Sequence, residues 1–136
     1  MQSILADAGP LIALFRAKDP HFSEVSRFVL GNRLPLVTTW PVVTEVCHFI
    51  NAEAKAKLLT WIRRGGLRLH DIVGDDLAAL EHQIAKYGER MDLADASLVC
   101  LGHKLRISDI ITIDRNDFSV YRAHNDAPFR NLLTEF

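Results

Sequence analysis

Long hydrophobic segments and an export signal are both missing from this 136-residue chain. No apolar run approaches the roughly 20 residues that are needed to cross a bilayer, which argues against a membrane span. The stretch MQSILADAGPL at the amino terminus lacks a basic region and meets Asp7 early, unlike a signal peptide. We therefore expect a cytoplasmic protein.

Cysteine is scarce, and several common site motifs are absent. Cys47 and Cys100 both lie in apolar helical patterns, which indicates two buried thiols rather than a disulfide or a zinc site. The chain has no Gly-rich phosphate loop, no HExxH motif and no CxxC motif. Its aromatic residues show no interleaved stacking pattern, so base recognition has no signal in the sequence.

The composition is that of an ordinary globular protein. Apolar residues make up 49% of the chain, and 136 residues suit one domain with a real core. No repeat, low-complexity segment or linker divides the sequence. We therefore predict a single domain over residues 1–136.

Strand-like and helix-like segments alternate along the whole chain. The predicted strands are SILA before Asp7, LPLVTT, LRLHDIV, SDIITI before Asp114, and a possible last strand in FRNLLTEF. The segment DRNDF is predicted to form a turn. The segments between the strands have helical periodicity, with Pro, Gly and Asn at their ends. This alternation predicts an α/β fold with a parallel central sheet of four to five strands, flanked by helices on both faces.

Carboxylates recur at the positions where such a fold binds ligands. Asp7 and Asp114 each follow a predicted strand, and the carboxyl ends of neighbouring parallel strands meet at one edge of the sheet. Glu45 and Asp95 lie on predicted helices without a lysine or arginine at salt-bridge spacing, and Asp92 shares a helix face with Asp95. We expect these acids to converge.

Most of these acids also have a structural explanation. Asp7 and Asp92 are suited to cap helices, Asp114 suits a turn, and Glu45 suits an exposed rim. Asp95 is hardest to explain, because it lies one turn inside an apolar helix and an isolated buried carboxylate costs several kcal/mol. Neighbouring acids only add repulsion, whereas Mg²⁺ or Mn²⁺ prefers oxygen ligands and would offset their charge.

Four segments in this order resemble a known family. DAGPLIALF, TTWPVVTEV, MDLADASLV and IITIDRNDFSVY are similar to the signature segments of PIN-domain ribonucleases, and most similar to the VapC-like toxins of bacterial toxin–antitoxin modules. Each segment is weakly specific, but the four together span essentially the whole chain. One departure is Ala8, which stands where many members have serine or threonine after the first aspartate.

The resemblance implies a set of site residues and an activity. It assigns catalysis and metal binding to Asp7, Glu45, Asp95 and Asp114. Asp92 matches an additional aspartate that joins the metal-binding set, and Thr112 matches an auxiliary hydroxyl residue. A Mg²⁺ or Mn²⁺ ion held there would lower the pKa of water and stabilise charge on a phosphate, as endoribonuclease activity requires. The resemblance further implies an RNA substrate, a homodimer and an antitoxin. We expect the antitoxin to reach the acids with an arginine-bearing tail.

Two other functions fit the same residues. The chain could be a housekeeping RNA-processing or DNA-directed nuclease, which a panel of substrates would separate from a toxin. It could instead be a non-catalytic module whose acids only bind a metal or a basic peptide. His48, one turn from Glu45, also has two interpretations, as a packed side chain or as a residue that assists the acids.

The charge balance depends on where the acids lie. The formal net charge is −1, from 16 basic and 17 acidic residues. If five acids surround a metal, 12 remain, and the rest of the chain carries an excess of four positive charges. Candidate contacts to a phosphodiester backbone are Arg63, Arg64, Arg68, Lys104, Arg106, Arg115 and Arg122.

Overall fold

Five short parallel strands form the sheet of the computed structural model, which describes residues 2–135. The strands are β1 (Ile4–Ala6), β2 (Leu36–Thr39), β3 (Arg68–His70), β4 (Asp109–Ile111) and β5 (Arg130–Asn131). Their order in the sheet is β3-β2-β1-β4-β5, and every neighbouring pair is parallel. The predicted α/β fold with four to five parallel strands is therefore confirmed.

Seven α-helices within residues 2–135 connect and flank these strands. They are α1 (Ala8–Leu14), α2 (Phe22–Gly31), α3 (Trp40–Cys47), α4 (Ala52–Arg63), α5 (Leu77–Tyr87), α6 (Leu93–Leu105) and α7 (Arg115–Val120). Short 3-10 helices lie at Gly74–Asp76, Gly88–Arg90, His124–Asp126 and Leu132–Glu135. No helix among residues 2–135 is long and apolar enough to cross a membrane. Both cysteines are free thiols, and each is half-buried.

The centre of the sheet is the centre of the core. Ile4, Leu5 and Ala6 of β1, the central strand, are at most 1% exposed. Such continuous apolar runs are typical of parallel strands that are covered on both faces. The position of β1 carries its carboxyl end, and therefore Asp7, into the middle of the sheet edge.

Helix α6 packs tightly against this core. It contacts α3, α5 and β2, and one approach is so close that only glycine fits. A Cβ atom on Gly102 would lie 2.9 Å from the carbonyl oxygen of Ile107 and 3.0 Å from Cδ1 of Leu5. A hydrogen bond of 2.7 Å between the hydroxyls of Thr39 and Ser97 joins the end of β2 to the first turns of α6. This packing holds the acidic start of α6 at the carboxyl edge of the sheet.

Two predicted elements differ from the structure. DRNDF is not a simple turn, because Asp114 caps α7 and accepts a hydrogen bond of 3.0 Å from the backbone N–H of Asp117. The last predicted strand, FRNLLTEF, is a strand only at Arg130–Asn131, and a 3-10 helix follows it. The end of that prediction, Phe136, lies outside the described residues.

Candidate active site

Asp7 lies at the end of the central strand, and its side chain is 7% exposed. It occupies the N-cap position of α1, as the capping interpretation predicts, but its side chain makes no capping hydrogen bond. Instead its Oδ2 accepts a hydrogen bond of 2.7 Å from Oγ1 of Thr112. Burial raises the pKa of Asp7 to about 6, and the charges of Asp114 and Asp92 add to that rise.

Thr112 links Asp7 to Asp114. Strands β1 and β4 are neighbours, with Ala6 opposite Ile111, so the residues after both strands meet as predicted. The Thr112 hydroxyl donates to Asp7 and accepts a hydrogen bond of 3.0 Å from the backbone N–H of Asp114. One threonine therefore fixes the carboxylate of Asp7 and the backbone that carries Asp114.

Asp92 and Asp95 lie at the beginning of α6. Asp92 is the N-cap, and its Oδ1 accepts a hydrogen bond of 2.8 Å from the backbone N–H of Asp95. Asp95 points elsewhere, and its Oδ2 accepts a hydrogen bond of 2.8 Å from the hydroxyl of Tyr121. Burial raises the pKa of Asp95 to about 7, and the charges of Asp7, Asp92 and Asp117 raise it further. Asp92 thus has a structural role as well as a place beside the other acids.

Tyr121 is a site residue that the sequence did not reveal. Its ring is fully buried between Tyr87 and Phe118, at centroid distances of 4.9 and 5.1 Å and in edge-on geometry. Its hydroxyl lies within hydrogen-bond distance of both Asp95 Oδ2 (2.8 Å) and the carbonyl oxygen of Arg90 (3.0 Å). The rigid ring therefore fixes the position of a single donor beside Asp95.

Glu45 reaches the cluster from helix α3. It is half-exposed, and its pKa is raised by burial and by the charges of Asp92 and Asp7. Glu45 and Asp92 also line a groove between the starts of α3 and α6. The structure thus brings the five predicted acids into one cluster at this edge of the sheet, in which Asp7, Glu45 and Asp95 each have a pKa raised in part by the charge of at least one of the other acids.

Asp117 is a sixth acid next to this cluster. Burial and the neighbouring Asp114 raise its pKa, whereas Arg90, whose Nε lies 3.8 Å from Oδ1 of Asp117, opposes that rise. The sequence held a signal for it: Asp117 follows Asp114 by three residues, which is the spacing of a helix cap and its first turn. Because DRNDF was predicted to form a turn, this spacing was not interpreted as the start of a helix, and Asp117 was not identified.

The acids of the cluster are the right chemical type of ligand for a hard divalent cation. Their carboxylates, however, do not converge on one point. All of the clustered side chains offer oxygen, the ligand that Mg²⁺ and Mn²⁺ prefer. Within residues 2–135, no three carboxylate, imidazole or thiolate groups lie close enough together to bind one ion. The same residues include no lysine or arginine that forms an ion pair with Asp7, Glu45 or Asp95. The cluster therefore carries negative charge that basic side chains do not neutralise.

The basic residues divide between the two edges of the sheet. Arg63, Arg64, Arg68 and Arg106 are exposed but lie on the segments that enter β3 and β4, opposite the acids. Lys104 lies 3.4 Å from Asp76, and Nη1 of Arg122 donates to the carbonyl oxygen of Ser119. Of the predicted set, Arg115 lies at the start of α7, just beyond the carboxyl end of β4. Arg90, which was not among the predicted contacts, lies beside the same helix through its approach to Asp117.

Comparison with known proteins supports the resemblance found in the sequence. The chain matches no family model. It is 27% identical over 124 residues to ribonuclease VapC26 of Mycobacterium tuberculosis (strain ATCC 25618 / H37Rv), an alignment that covers 88% of this chain and 92% of VapC26.

Two solved structures share the fold. The Mycobacterium tuberculosis VapC20, a toxin that cleaves the sarcin–ricin loop, superposes with a TM-score of 0.77 at 18% identity, over 85% of this chain and 92% of VapC20. A toxin–antitoxin complex from Klebsiella pneumoniae gives a TM-score of 0.64 at 16% identity, over 87% of this chain and 92% of the matched chain. The sequence comparison and the structural comparisons thus point to the same group of proteins. The resemblance to VapC-like PIN-domain toxins is confirmed.

The raised pKa of Asp95 predicts a pH dependence of stability in metal-free protein. An unfolded aspartate ionises near pH 4, whereas folded Asp95 holds its proton to about pH 7. The free energy of unfolding should therefore fall as pH rises from about 4 to about 7 and level off above that. At pH 8, Asp95→Asn should be more stable than the parent by about 1–2 kcal/mol, a figure discounted for partial exposure.

Urea unfolding with a chelator present, at a series of pH values, measures this effect. The amide oxygen of Asp95→Asn can still accept the Tyr121 hydrogen bond, so the variant changes the charge and keeps that contact. Glu81→Gln, which removes an exposed carboxylate from α5, is the control and should change little. If Asp95→Asn is less stable than the parent at pH 8, Asp95 does not carry unfavourable charge.

Tyr121→Phe tests the hydrogen bond to Asp95 separately. The ring packing stays, but the donor to a charged carboxylate is lost, so unfolding at pH 8 should become easier by about 1–3 kcal/mol. In the Asp95→Asn background the loss should be smaller, and the difference is the coupling energy of the pair.

Tyr87→Phe is the matched control for this cycle. Tyr87 lies in the same aromatic cluster, but its hydroxyl accepts a hydrogen bond from the backbone N–H of Arg122. The change in the free energy of unfolding that Tyr87→Phe causes should therefore be the same in the parent and in the Asp95→Asn background. Equal losses for Tyr121→Phe in both backgrounds would mean that its hydroxyl does not stabilise the carboxylate.

Proposed function

We propose that this chain is a metal-dependent endoribonuclease that hydrolyses RNA phosphodiester bonds and is the toxin of a toxin–antitoxin pair. The observation that carries the proposal is the cluster of acids, at the carboxyl edge of a parallel sheet, that no lysine or arginine neutralises within residues 2–135. The similarity to ribonuclease VapC26 and the shared fold with two toxins support it. Residues 1–136 would act as one PIN-like nuclease domain, on RNA in the cytoplasm.

Mg²⁺ or Mn²⁺ would be held by Asp7, Asp95 and Asp114, with Glu45 contributing through water and Asp92 as an additional acid. Because no three of these groups lie close enough together to bind one ion directly, some of the three aspartates would also act through water that the ion retains. Such an ion, when bound, lowers the pKa of water and stabilises negative charge on a phosphate. The raised pKa values of Asp7 and Asp95 support this assignment, because they result from burial and from the charges of neighbouring acids, and a bound cation would offset both. Metal binding should therefore favour the ionised carboxylates and release protons.

Other residues of the chain orient these acids and the substrate. Thr112 holds the carboxylate of Asp7, and Tyr121 holds that of Asp95. Arg90 and Arg115 lie at the same edge, and each pairs only loosely with an acid, at 3.8 and 3.9 Å. Exposed pairs of this kind contribute little to stability, so both guanidinium groups are available to phosphates on either side of the scissile bond.

Single amide substitutions test the roles of the acids. Asp7→Asn, Asp95→Asn and Asp114→Asn should each lower RNA cleavage by at least a hundredfold, because each removes a charge that binds the metal. Asp92→Asn should lower it less, since an amide oxygen can still cap α6. Cleavage of a panel of structured and single-stranded RNAs, with matched DNA, measures both activity and substrate class.

Metal binding gives these variants a second readout. Mn²⁺ should raise the melting temperature of the parent and should raise that of Asp95→Asn much less. Glu81→Gln again controls for a general loss of negative charge. Full activity in the Asp7, Asp95 and Asp114 variants would refute the proposed centre. Metal binding without cleavage of any RNA or DNA would favour a non-catalytic metal-binding module, and cleavage of DNA alone would favour a DNA-directed nuclease.

We further propose that the protein is a homodimer inhibited by an antitoxin with an arginine-bearing tail. The Klebsiella pneumoniae neighbour is a toxin–antitoxin complex, which supports a protein partner. A guanidinium group can bond a carboxylate with two parallel hydrogen bonds, so one arginine could pair with Glu45 or Asp95 and compete with the metal. Apolar residues beside that arginine would dock near Val42–Phe49.

Competition tests the arginine tail. The probe is an arginine-bearing peptide from the tail of a candidate antitoxin, together with its Arg→Ala variant. Excess Mn²⁺ should weaken inhibition by the parent peptide, and the Arg→Ala change should weaken it more than tenfold. Inhibition that is indifferent to both would mean that the partner acts away from the acids.

A further inference from the structure

Trp40 is a large aromatic side chain left exposed beside the acid cluster. It is the first residue of α3, directly after the carboxyl end of β2, and it is 48% exposed. Tryptophan is usually well buried, because its indole removes a large apolar area from water. Its exposure at the edge where the acids meet makes it a candidate contact for a ligand bound at that edge.

The ring of Trp40 is held in place through its one polar atom. Indole Nε1 donates a hydrogen bond of 3.1 Å to Oδ1 of Asp71, which follows the carboxyl end of β3. The indole is thus anchored across the ends of two neighbouring strands. With Nε1 engaged, the surface that remains for a ligand is the apolar ring face.

This face forms one side of a groove that runs to the acids. The groove has a volume of about 560 Å³, and Leu93 at the start of α6, 55% exposed, adds a second apolar side chain. Glu45 and Asp92 of the acid cluster also line it, as do the exposed Thr44 and His48. One groove therefore joins a fixed aromatic face to the acids, with polar side chains between them.

We propose that Trp40 is the stacking platform for one nucleobase of a single-stranded RNA, next to the phosphate held at the acid cluster. The inference rests on the proposed function and adds a substrate subsite to it. A nucleobase has a flat π-face, is uncharged, and carries polar edges that Thr44 and His48 can reach. Stacking of a base on an aromatic side chain strengthens binding with little dependence on sequence.

Charge favours a nucleobase over a second copy of the chain. In a symmetric dimer centred on this groove, Glu45 and Asp92 of both copies would meet, and like charges across an interface are costly. A nucleotide instead brings a neutral base to Trp40 and Leu93. Its phosphate goes to the acids, where a divalent ion would offset the repulsion.

Fluorescence of the two tryptophans provides a direct test. Trp61 is the other tryptophan of the chain and packs against Phe15 at a centroid distance of 5.8 Å. Trp61→Phe leaves Trp40 as the sole emitter, and Trp40→Phe leaves Trp61. With Mg²⁺ present, the four nucleoside 5′-monophosphates should quench emission in Trp61→Phe but not in Trp40→Phe. Ribose 5-phosphate, which has no base, should quench neither.

Kinetics on a short single-stranded RNA complete the test. Trp40→Phe keeps an aromatic face and should stay within about threefold of the parent in kcat/KM. Trp40→Leu keeps apolar bulk without a π-face and should lower kcat/KM by about tenfold or more, mainly through KM. Melting temperatures of both variants check that the fold is retained.

The outcomes distinguish this inference from the function on which it rests. If the parent cleaves no RNA, the proposed function fails. If the parent cleaves RNA but Trp40→Leu matches it and no monophosphate quenches Trp40, the stacking platform is refuted. Equal quenching by ribose 5-phosphate refutes it as well. So does a change from dimer to monomer in Trp40→Leu with kcat/KM unaltered, which would make the groove an interface between two copies.

Discussion

The burial of several carboxylates beside one another at one edge of the sheet is the constraint on which the rest of the site depends. Asp7 follows β1, the central strand, and cannot leave the core without breaking the centre of the sheet. Asp95 is tied to the edge by the packing of α6, in which Gly102 allows the closest approach. Folding therefore forces like charges together, and most of their unfavourable energy comes from lost hydration.

Hydroxyl groups, rather than cations, hold these charges in place. Thr112 donates to Asp7, and Tyr121 donates to Asp95, at 2.7 and 2.8 Å. An arginine in either position would neutralise the carboxylate and leave little affinity for a metal. A hydroxyl fixes the geometry of the carboxylate and leaves its charge in place. The two hydrogen bonds thus orient the acids while the cluster keeps the negative potential that attracts a cation.

The sequence predicted the parts of the site that follow from general rules of the fold. Alternating strands and helices require a parallel sheet, and a parallel sheet brings Asp7 and Asp114 to one edge. Tyr121 could not be predicted, because it meets Asp95 from 26 residues away and no periodicity marks that contact. The DRND segment was ambiguous, since Asp and Asn are common both in turns and at helix caps. The sequence also could not show which arginines lie near the acids, because that depends on the edge of the sheet at which each loop lies.

A cluster built in this way cannot by itself select its substrate. Its charge attracts cations and repels the phosphates of RNA, so affinity for a nucleic acid must come from other groups at the same edge. Arg90 and Arg115 supply charge without sequence preference. Under the proposed function, discrimination between substrates then rests on neutral contacts. Trp40 and Leu93 offer these on the groove that contains Glu45 and Asp92. Separating catalysis from recognition would let the acids stay fixed while the residues of the groove vary with the substrate.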